Sequence, residues 1–405
     1  MQKTLSRSVP GREQTADRRR AVDLPFVLLT LLLLSIGVIM VLSASFASAY
    51  YDIQGETGHN ATYFFSRQAL FAGAGIAVMM LFSLIPMETY RHFSGALMAL
   101  SVVSLGAVLA VGTVVNGARR WINLGFTTVQ PSEITKIAII LYFSSLICKY
   151  KDRMRTFRRG IAPFAGILAA VTVLLVLEPH FSAAIIILMI GAAMLFLGGV
   201  PLRWFVGGAL LLAGGAALAV LLVPYVAERV ASFLDPFSDP TGDGWQIVQS
   251  LYAIGSGGFA GLGLGRSRQK YLYLPEEHND FIFSVICEEL GFIGAAVILI
   301  LFALLIVRGY TLAMRSPDRY GFLVGCGVTT MLALQVILNV AVCTSLVPCT
   351  GISLPFFSYG GTALLIQMAE AGIILSLSRE IPFALPVPER MARRNPDKER
   401  SRNAL

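Results

Sequence analysis

Ten stretches of this chain are too long and too apolar to face water: about 24–45, 67–86, 93–112, 132–148, 161–177, 181–199, 204–223, 281–307, 321–343 and 359–377. A hydrocarbon core of about 30 Å is crossed by roughly 20 apolar residues in a helix, and a helix satisfies its own backbone there. The pattern specifies an all-α polytopic membrane protein of about ten transmembrane helices. Composition excludes the alternative: 56% hydrophobic and 14% charged residues, with mean hydropathy +0.71, leave too little polar surface for a soluble globular domain. No cleavage signal follows the first window, which reads as a permanent helix.

Ten spans put both termini on one side, and the basic residues say which. Arg18, Arg19 and Arg20 precede the first span. Lys149, Lys151, Arg153, Arg155, Arg158 and Arg159 fill the 149–159 connection, and Arg308, Arg315 and Arg319 the 308–319 connection. Arg390, Arg393, Arg394, Lys398, Arg400 and Arg402 end the chain. All four segments share a side, which the positive-inside rule makes the cytoplasm. The division is then a cytoplasmic tail over 1–23, a transmembrane domain over 24–378 and a basic, polar cytoplasmic tail over 379–405, whose charge suits anionic lipid. The net charge of +8 is thus explained by topology and need not signal nucleic acid. No Walker or dinucleotide-binding fingerprint occurs. Five cysteines lack metal-ligand spacing. Cys148, Cys287 and Cys326 fall in apolar runs, while Cys343 and Cys349 flank a loop where pairing is an open option.

The connection over 224–280, between the seventh and eighth spans, is long and external, and loops of that length are usually functional or disordered. Its aromatic and apolar residues argue for order. QIVQSLYAIGSGG reads as a short interfacial helix with Trp245 and Tyr252 near the headgroups. GGFAGLGLG allows close backbone approach. Arg266, Arg268 and Lys270 stand against the positive-inside trend, as do Arg119 and Arg120 in NGARRWINLG. Two explanations compete: pairing with Asp235, Asp239, Asp243, Glu276 and Glu277 of the same loop, or an external phosphate-bearing substrate held by arginine forks.

In LPEEHNDFIFSVICEEL, Asn279 or Asp280 begins the eighth span. Either is a natural N-cap. Asp280, beside His278 and Glu276 at a membrane mouth, is equally placed as a general base. Glu288 and Glu289 lie about 12–13 Å further along the helix and on other faces. Buried there, they need a partner, and Lys136, three residues after Glu133, is one candidate for a structural ion pair. VPCTGISLPFFSYGG cannot continue a helix; such backbone survives near a membrane only where protein buries it or it lines a wet cavity, which Asn339, Ser358 and Tyr359 would line.

Three stretches together resemble the SEDS family (shape, elongation, division and sporulation; FtsW, RodA and SpoVE): GARRWINLGFTTVQPSEITK, the long DPTGDGWQIVQSLYAIGSGGFAGLGLGRSRQKYLYLPEEHNDFIFSVICEELGFIG, and GISLPFFSYGGTALL. The similarity covers nearly all of 24–378, and GDGWQIVQSLYAIGSGG and GLGRSRQKYLYLPE look like the division and sporulation branch. The turn Glu178-Pro179-His180 departs from the Gln-Pro-Asp common in the family, which removes any role carried over to it. Asn279 stands where threonine is common.

The resemblance implies a peptidoglycan glycosyltransferase that polymerises lipid II, an undecaprenyl-pyrophosphate disaccharide-pentapeptide. It would act at the outer face of the bacterial cytoplasmic membrane, at the septum, with a class B penicillin-binding protein. The family's essential aspartate falls on Asp280, which would take the proton of the acceptor 4-hydroxyl. Arg119, Arg120, Lys136, Arg266 and Lys270 would stabilise the departing pyrophosphate. Trp245, Gln249, Glu276, His278 and Ser358 complete the candidate substrate-binding set. A divalent cation, Mg or Mn, suits a pyrophosphate, but no clean ligand set is visible. The rival functions are a lipid II flippase, for which intramembrane Glu288, Glu289 and Lys136 would line a path, and a scaffold that only recruits the penicillin-binding protein.

Overall fold

The computed structural model describes residues 22–381 apart from 53, 54, 56, 116, 117, 124, 126, 223–226, 228, 229, 232, 241 and 243. The basic clusters of both tails, and Asp243, lie outside the described residues. Every apolar window finds a helix: α1 (Leu24–Tyr51), α2 (Tyr63–Leu84), α3 (Met87–Val111), α4 (Pro131–Tyr150), α5 (Ala162–Leu177), α6 (Phe181–Leu197), α7 (Leu202–Leu222), α9 (Ile282–Met314), α10 (Arg319–Cys343) and α11 (Gly361–Glu380). Among the described residues, eight of these are long and apolar enough to cross a membrane, while α5 and α6 are shorter. The interfacial helix is α8 (Trp245–Gly257). One side of it, Ile247, Val248, Gln249, Ser250 and Ala253, is buried by protein rather than by headgroups.

The centre is built from α4, α10 and α11, the helices with the largest buried share of their apolar windows. Around them α2 packs on α11, α3 on α4, and α1 and α8 on α9. At one end, Asp23 caps α1 through Phe26 N–H (3.0 Å) and pairs with Arg308 at 2.5 Å. Glu380 accepts from Met87 N–H at 2.8 Å. The start of α1, the far end of α9, the end of α11 and the start of α3 therefore meet, and the 308–319 connection lies with them. At the other end a small antiparallel sheet covers the start of α4: β1 (Thr113–Val115), β2 (Ala118–Asn123) and β3 (Thr128–Val129), with Thr113 opposite Trp121 and Ile122 opposite Val129. From sequence this stretch reads only as the external connection after the third span.

A second departure lies in α9, read from sequence as unbroken. Gly291 has φ 68° and ψ −171°, outside helical backbone. The helical ladder is interrupted there, and the freed groups bond to the glycine-rich loop. Leu262 N–H and Gly263 N–H donate to the carbonyls of Glu288 (3.0 Å) and Glu289 (2.9 Å), while Phe292 N–H and Ile293 N–H donate to Gly258 (2.9 Å) and Phe259 (3.2 Å). Non-helical backbone at this depth persists because each strand of it satisfies the other. No side chain fits between them: a Cβ on Gly291 would lie 2.3 Å from Gly261 N.

Candidate active site

The segment before α9 is held from one side. Tyr359 N–H donates to the carbonyl of His278 at 2.8 Å, Ser358 Oγ to that of Asn279 at 2.8 Å, and Asn339 Nδ2 to that of Asp280 at 2.8 Å. Asn339 Nδ2 also reaches the carbonyl of Ile352 at 2.7 Å, and Ser358 Oγ accepts from Leu354 N–H at 2.7 Å. Gln68 on α2 supports the loop in turn, donating to the carbonyl of Ser358 at 3.2 Å. The rings of Phe64, His278 and Tyr359 pack together, with Phe64 centred 4.4 Å from His278 and 4.9 Å from Tyr359.

This geometry corrects the N-cap expectation. The cap position of α9 is Phe281, and no side chain caps it. Asp280 lies outside the helix. Its carboxylate faces the 347–361 loop: a Cβ on Gly351, where φ is +62°, would stand 3.1 Å from Asp280 Oδ2. Burial, reinforced by the neighbouring Glu276 carboxylate, pushes the Asp280 carboxyl up to about 6, against the pull of Arg120 and His278. Glu276 is itself engaged, accepting from Asn279 Nδ2 at 2.6 Å. The arrangement is that of a carboxylate poised to gain and lose a proton near neutral pH.

Alternation along β2 gives Arg119 and Arg120 opposite directions. Arg119 is exposed and donates to the carbonyl of Leu109 at 3.2 Å. Arg120 turns inward, bonds the carbonyl of Pro179, and bears on Asp280, Glu178 and His180. Glu178 is buried and pushed up to about 7, burial outweighing Arg120. His180 is pulled down to about 3 by burial, with Arg120 and Lys136 adding to it, so its imidazole is neutral; it meets Gln130 Nε2 at 3.2 Å.

The loop cations divide by burial. Arg266 and Arg268 are exposed, whereas Lys270 is 1% exposed. Its Nζ lies 2.9 Å from Glu289 Oε1 and 3.3 Å from Ser43 Oγ. Lys270 is thus held in a buried pair with Glu289. Lys136 is not the partner of Glu288 or Glu289: it pairs with Glu133 at 2.9 Å. Glu288 needs no cation, because it accepts from Ser267 Oγ, Arg268 N–H (2.9 Å) and Gln269 N–H (3.3 Å). Both acids therefore staple the GRSRQK loop to α9.

Of the candidate residues, the structure brings Glu276, His278, Arg120 and Ser358 to Asp280. Lys136 and Lys270 are spent in buried pairs. Trp245 and the buried Gln249 belong to α8, and Arg119 and Arg266 stand at exposed positions. Among the described residues no three His, Cys, Asp or Glu side chains converge to hold a metal. Cys343 and Cys349 are both free thiols. Sequence reading missed Gln68 and Glu370, both buried, although a polar amide or acid inside an apolar window is itself a signal of a buried partner.

The family model described as "Cell cycle protein" (FTSW_RODA_SPOVE) matches residues 24–381. Stage V sporulation protein E of Bacillus subtilis (strain 168) is 41% identical over 364 residues, covering 89% of this chain and 98% of that protein. A probable peptidoglycan glycosyltransferase FtsW of Thioalkalivibrio sp. (strain K90mix) is 40% identical over 390 residues, covering 95% of this chain and 96% of that one. Among solved structures, a chain from a work on structural coordination of polymerization and crosslinking by a peptidoglycan synthase complex aligns at TM-score 0.74 and 31% identity, over 89% of this chain and 98% of that one. The rod shape determining protein RodA of Thermus thermophilus aligns at TM-score 0.65 and 28% identity, over 90% and 98%.

Proposed function

The chain belongs to the FtsW/RodA/SpoVE family of cell cycle proteins, and on that premise we propose that it is a peptidoglycan glycosyltransferase polymerising lipid II at the outer membrane face. The observation that carries the reading is Asp280, a carboxylate released from capping, raised toward neutrality and set beside Arg120. In the reaction the acceptor 4-hydroxyl oxygen attacks the anomeric carbon of the donor sugar. Asp280 accepts the hydroxyl proton as the new C–O bond forms. The bond from the anomeric carbon to the pyrophosphate oxygen breaks, and the electron pair leaves with the lipid pyrophosphate, which needs no proton. Arg120 supplies positive charge to that leaving group, with Arg119, Arg266 and Arg268 drawing the anion to the mouth. The undecaprenyl chain lies along the lipid-facing surface of the bundle.

The relative solved in a synthase complex supports a crosslinking partner here as well, of the class B penicillin-binding type. The division and sporulation relatives support action at a septum. The flippase reading drew on intramembrane charges, but Glu289 is bound to Lys270, Glu288 to loop amides and Lys136 to Glu133. The test is glycan-strand formation from lipid II by the purified protein in detergent micelles, with its crosslinking partner present in a form inactive for crosslinking. Micelles have no second leaflet to flip into, so long glycan strands establish a polymerase. Their absence under these conditions refutes it and returns the protein to transport or scaffolding.

A further inference from the structure

Three successive carbonyls, of His278, Asn279 and Asp280, are each taken by a donor from the same side: Tyr359 N–H, Ser358 Oγ and Asn339 Nδ2, all at 2.8 Å. Carbonyls ahead of the cap position have no place in a helix's own ladder and must find water or other protein donors. Here the ladder of α9 begins only at Ile282, and the preceding turn is fixed instead to α10 and the 347–361 loop. The donors are costly to place. Asn339 is fully buried inside an apolar helix, and its amide bridges two pieces of irregular backbone, at Asp280 and Ile352. Ser358 bridges another two, at Asn279 and Leu354. Cys343 Sγ, one turn beyond Asn339, stands 3.6 Å from the same Asp280 carbonyl. Gly351, held by the same loop, leaves room for the Asp280 carboxylate itself.

We infer that Asn339 and Ser358 are positioning residues, a clamp that fixes the backbone of Asp280 so that its carboxylate meets the acceptor hydroxyl. The inference rests on Asp280 being the base. Neither residue need touch substrate: Asn339 is enclosed, and the Ser358 hydroxyl is spent on backbone at both ends. Ser358 therefore shifts from a substrate contact to a support. A clamp of this kind acts on the chemical step rather than on binding, because a small misplacement of a reacting group is costly while the rest of the site still holds substrate. Loosening the turn also lets water reach the carboxylate, which faces Glu276, Arg120 and His278, and so moves its titration toward that of a solvated aspartate.

The test is steady-state polymerisation of lipid II across pH by wild type, Ser358→Ala, Ser358→Thr and Asp280→Asn, each checked by thermal melt. We expect Ser358→Ala to lose kcat by about 10- to 100-fold with little change in KM, and its acid limb to shift to lower pH. Ser358→Thr, which keeps the hydroxyl, restores most of the rate. Should Ser358→Ala melt far below wild type, Asn339→Leu, similar in volume and without donors, carries the same comparison. Wild-type kcat and an unmoved acid limb in Ser358→Ala, with Asp280→Asn inactive, overturn the clamp and leave the base in place. Full activity in Asp280→Asn overturns the base and the clamp together. A fall in kcat that threonine does not rescue also overturns it, since the hydroxyl bonds would not be the cause.

Discussion

A general base works best when its proton affinity lies near the working pH. Asp280 is raised to about 6 by burial first and by Glu276 second. The base is competent only when ionised, so kcat/KM should fall as pH drops through about 6, with the slope of a single proton, and stay level above it. A kcat/KM profile over pH checks this, and an acid limb near the ordinary aspartate value would show that burial does not govern the group. At Lys270 the physics is different. Its ammonium is enclosed with Glu289, and removing one member of a buried pair strands the other. Lys270→Met should cost about 3–5 kcal/mol of stability, and adding Glu289→Gln should recover much of it; a melt of the single and double variants reads this out. Sequence suggested that Glu289 needed a cation but not which one, because Lys270 is 19 positions away and reaches it only through the fold of the loop.

At the scale of elements, apolar length made the helices legible, and irregular backbone hid the rest. The α1 and α10 windows were readable because lipid and protein both require long apolar helices. The hairpin of β1 and β2 was not: six residues of β2 carry too short a period to separate strand from loop. The break in α9 was hidden for another reason. LGFIGAA reads as ordinary membrane helix, and what opens it is the backbone of Gly258 to Gly263, folded against it from earlier in the chain. Gly291→Ala should therefore destabilise the protein, by about 1–3 kcal/mol from backbone strain alone, beyond the clash with Gly261. Gly106→Ala in α3, where a Cβ meets nothing within 4 Å, should be neutral or slightly stabilising. Comparing the two melts separates the break from a general intolerance of larger residues. The candidate site was half legible in the same way: residues 276–280 cluster in sequence, and Arg120, Asn339, Ser358 and Tyr359 stand out as candidates, but Gln68 and the bonds that tie 339 and 358 to the turn before α9 arise only on folding.

For the whole molecule, the ends of the bundle differ in charge and in task. One end gathers Asp23, Arg308 and the 308–319 connection; the other carries the sheet, Arg120, the loop cations and Asp280. The positive-inside rule puts the first end in the cytoplasm and opens the second to the outside, the side on which the proposed polymerase would meet a lipid-linked substrate. In a variant lacking the five native cysteines, Arg266→Cys should react with a membrane-impermeant maleimide in intact cells, and Arg155→Cys only after permeabilisation. The reverse pattern would invert the molecule and remove the site from its substrate. The central claim, that Asp280 is the base of a polymerase, meets its most direct test in glycan-strand synthesis by Asp280→Asn, which keeps the shape and removes the proton acceptor. The account predicts a variant that melts like wild type and makes no polymer; polymer at the wild-type rate from that variant would contradict it.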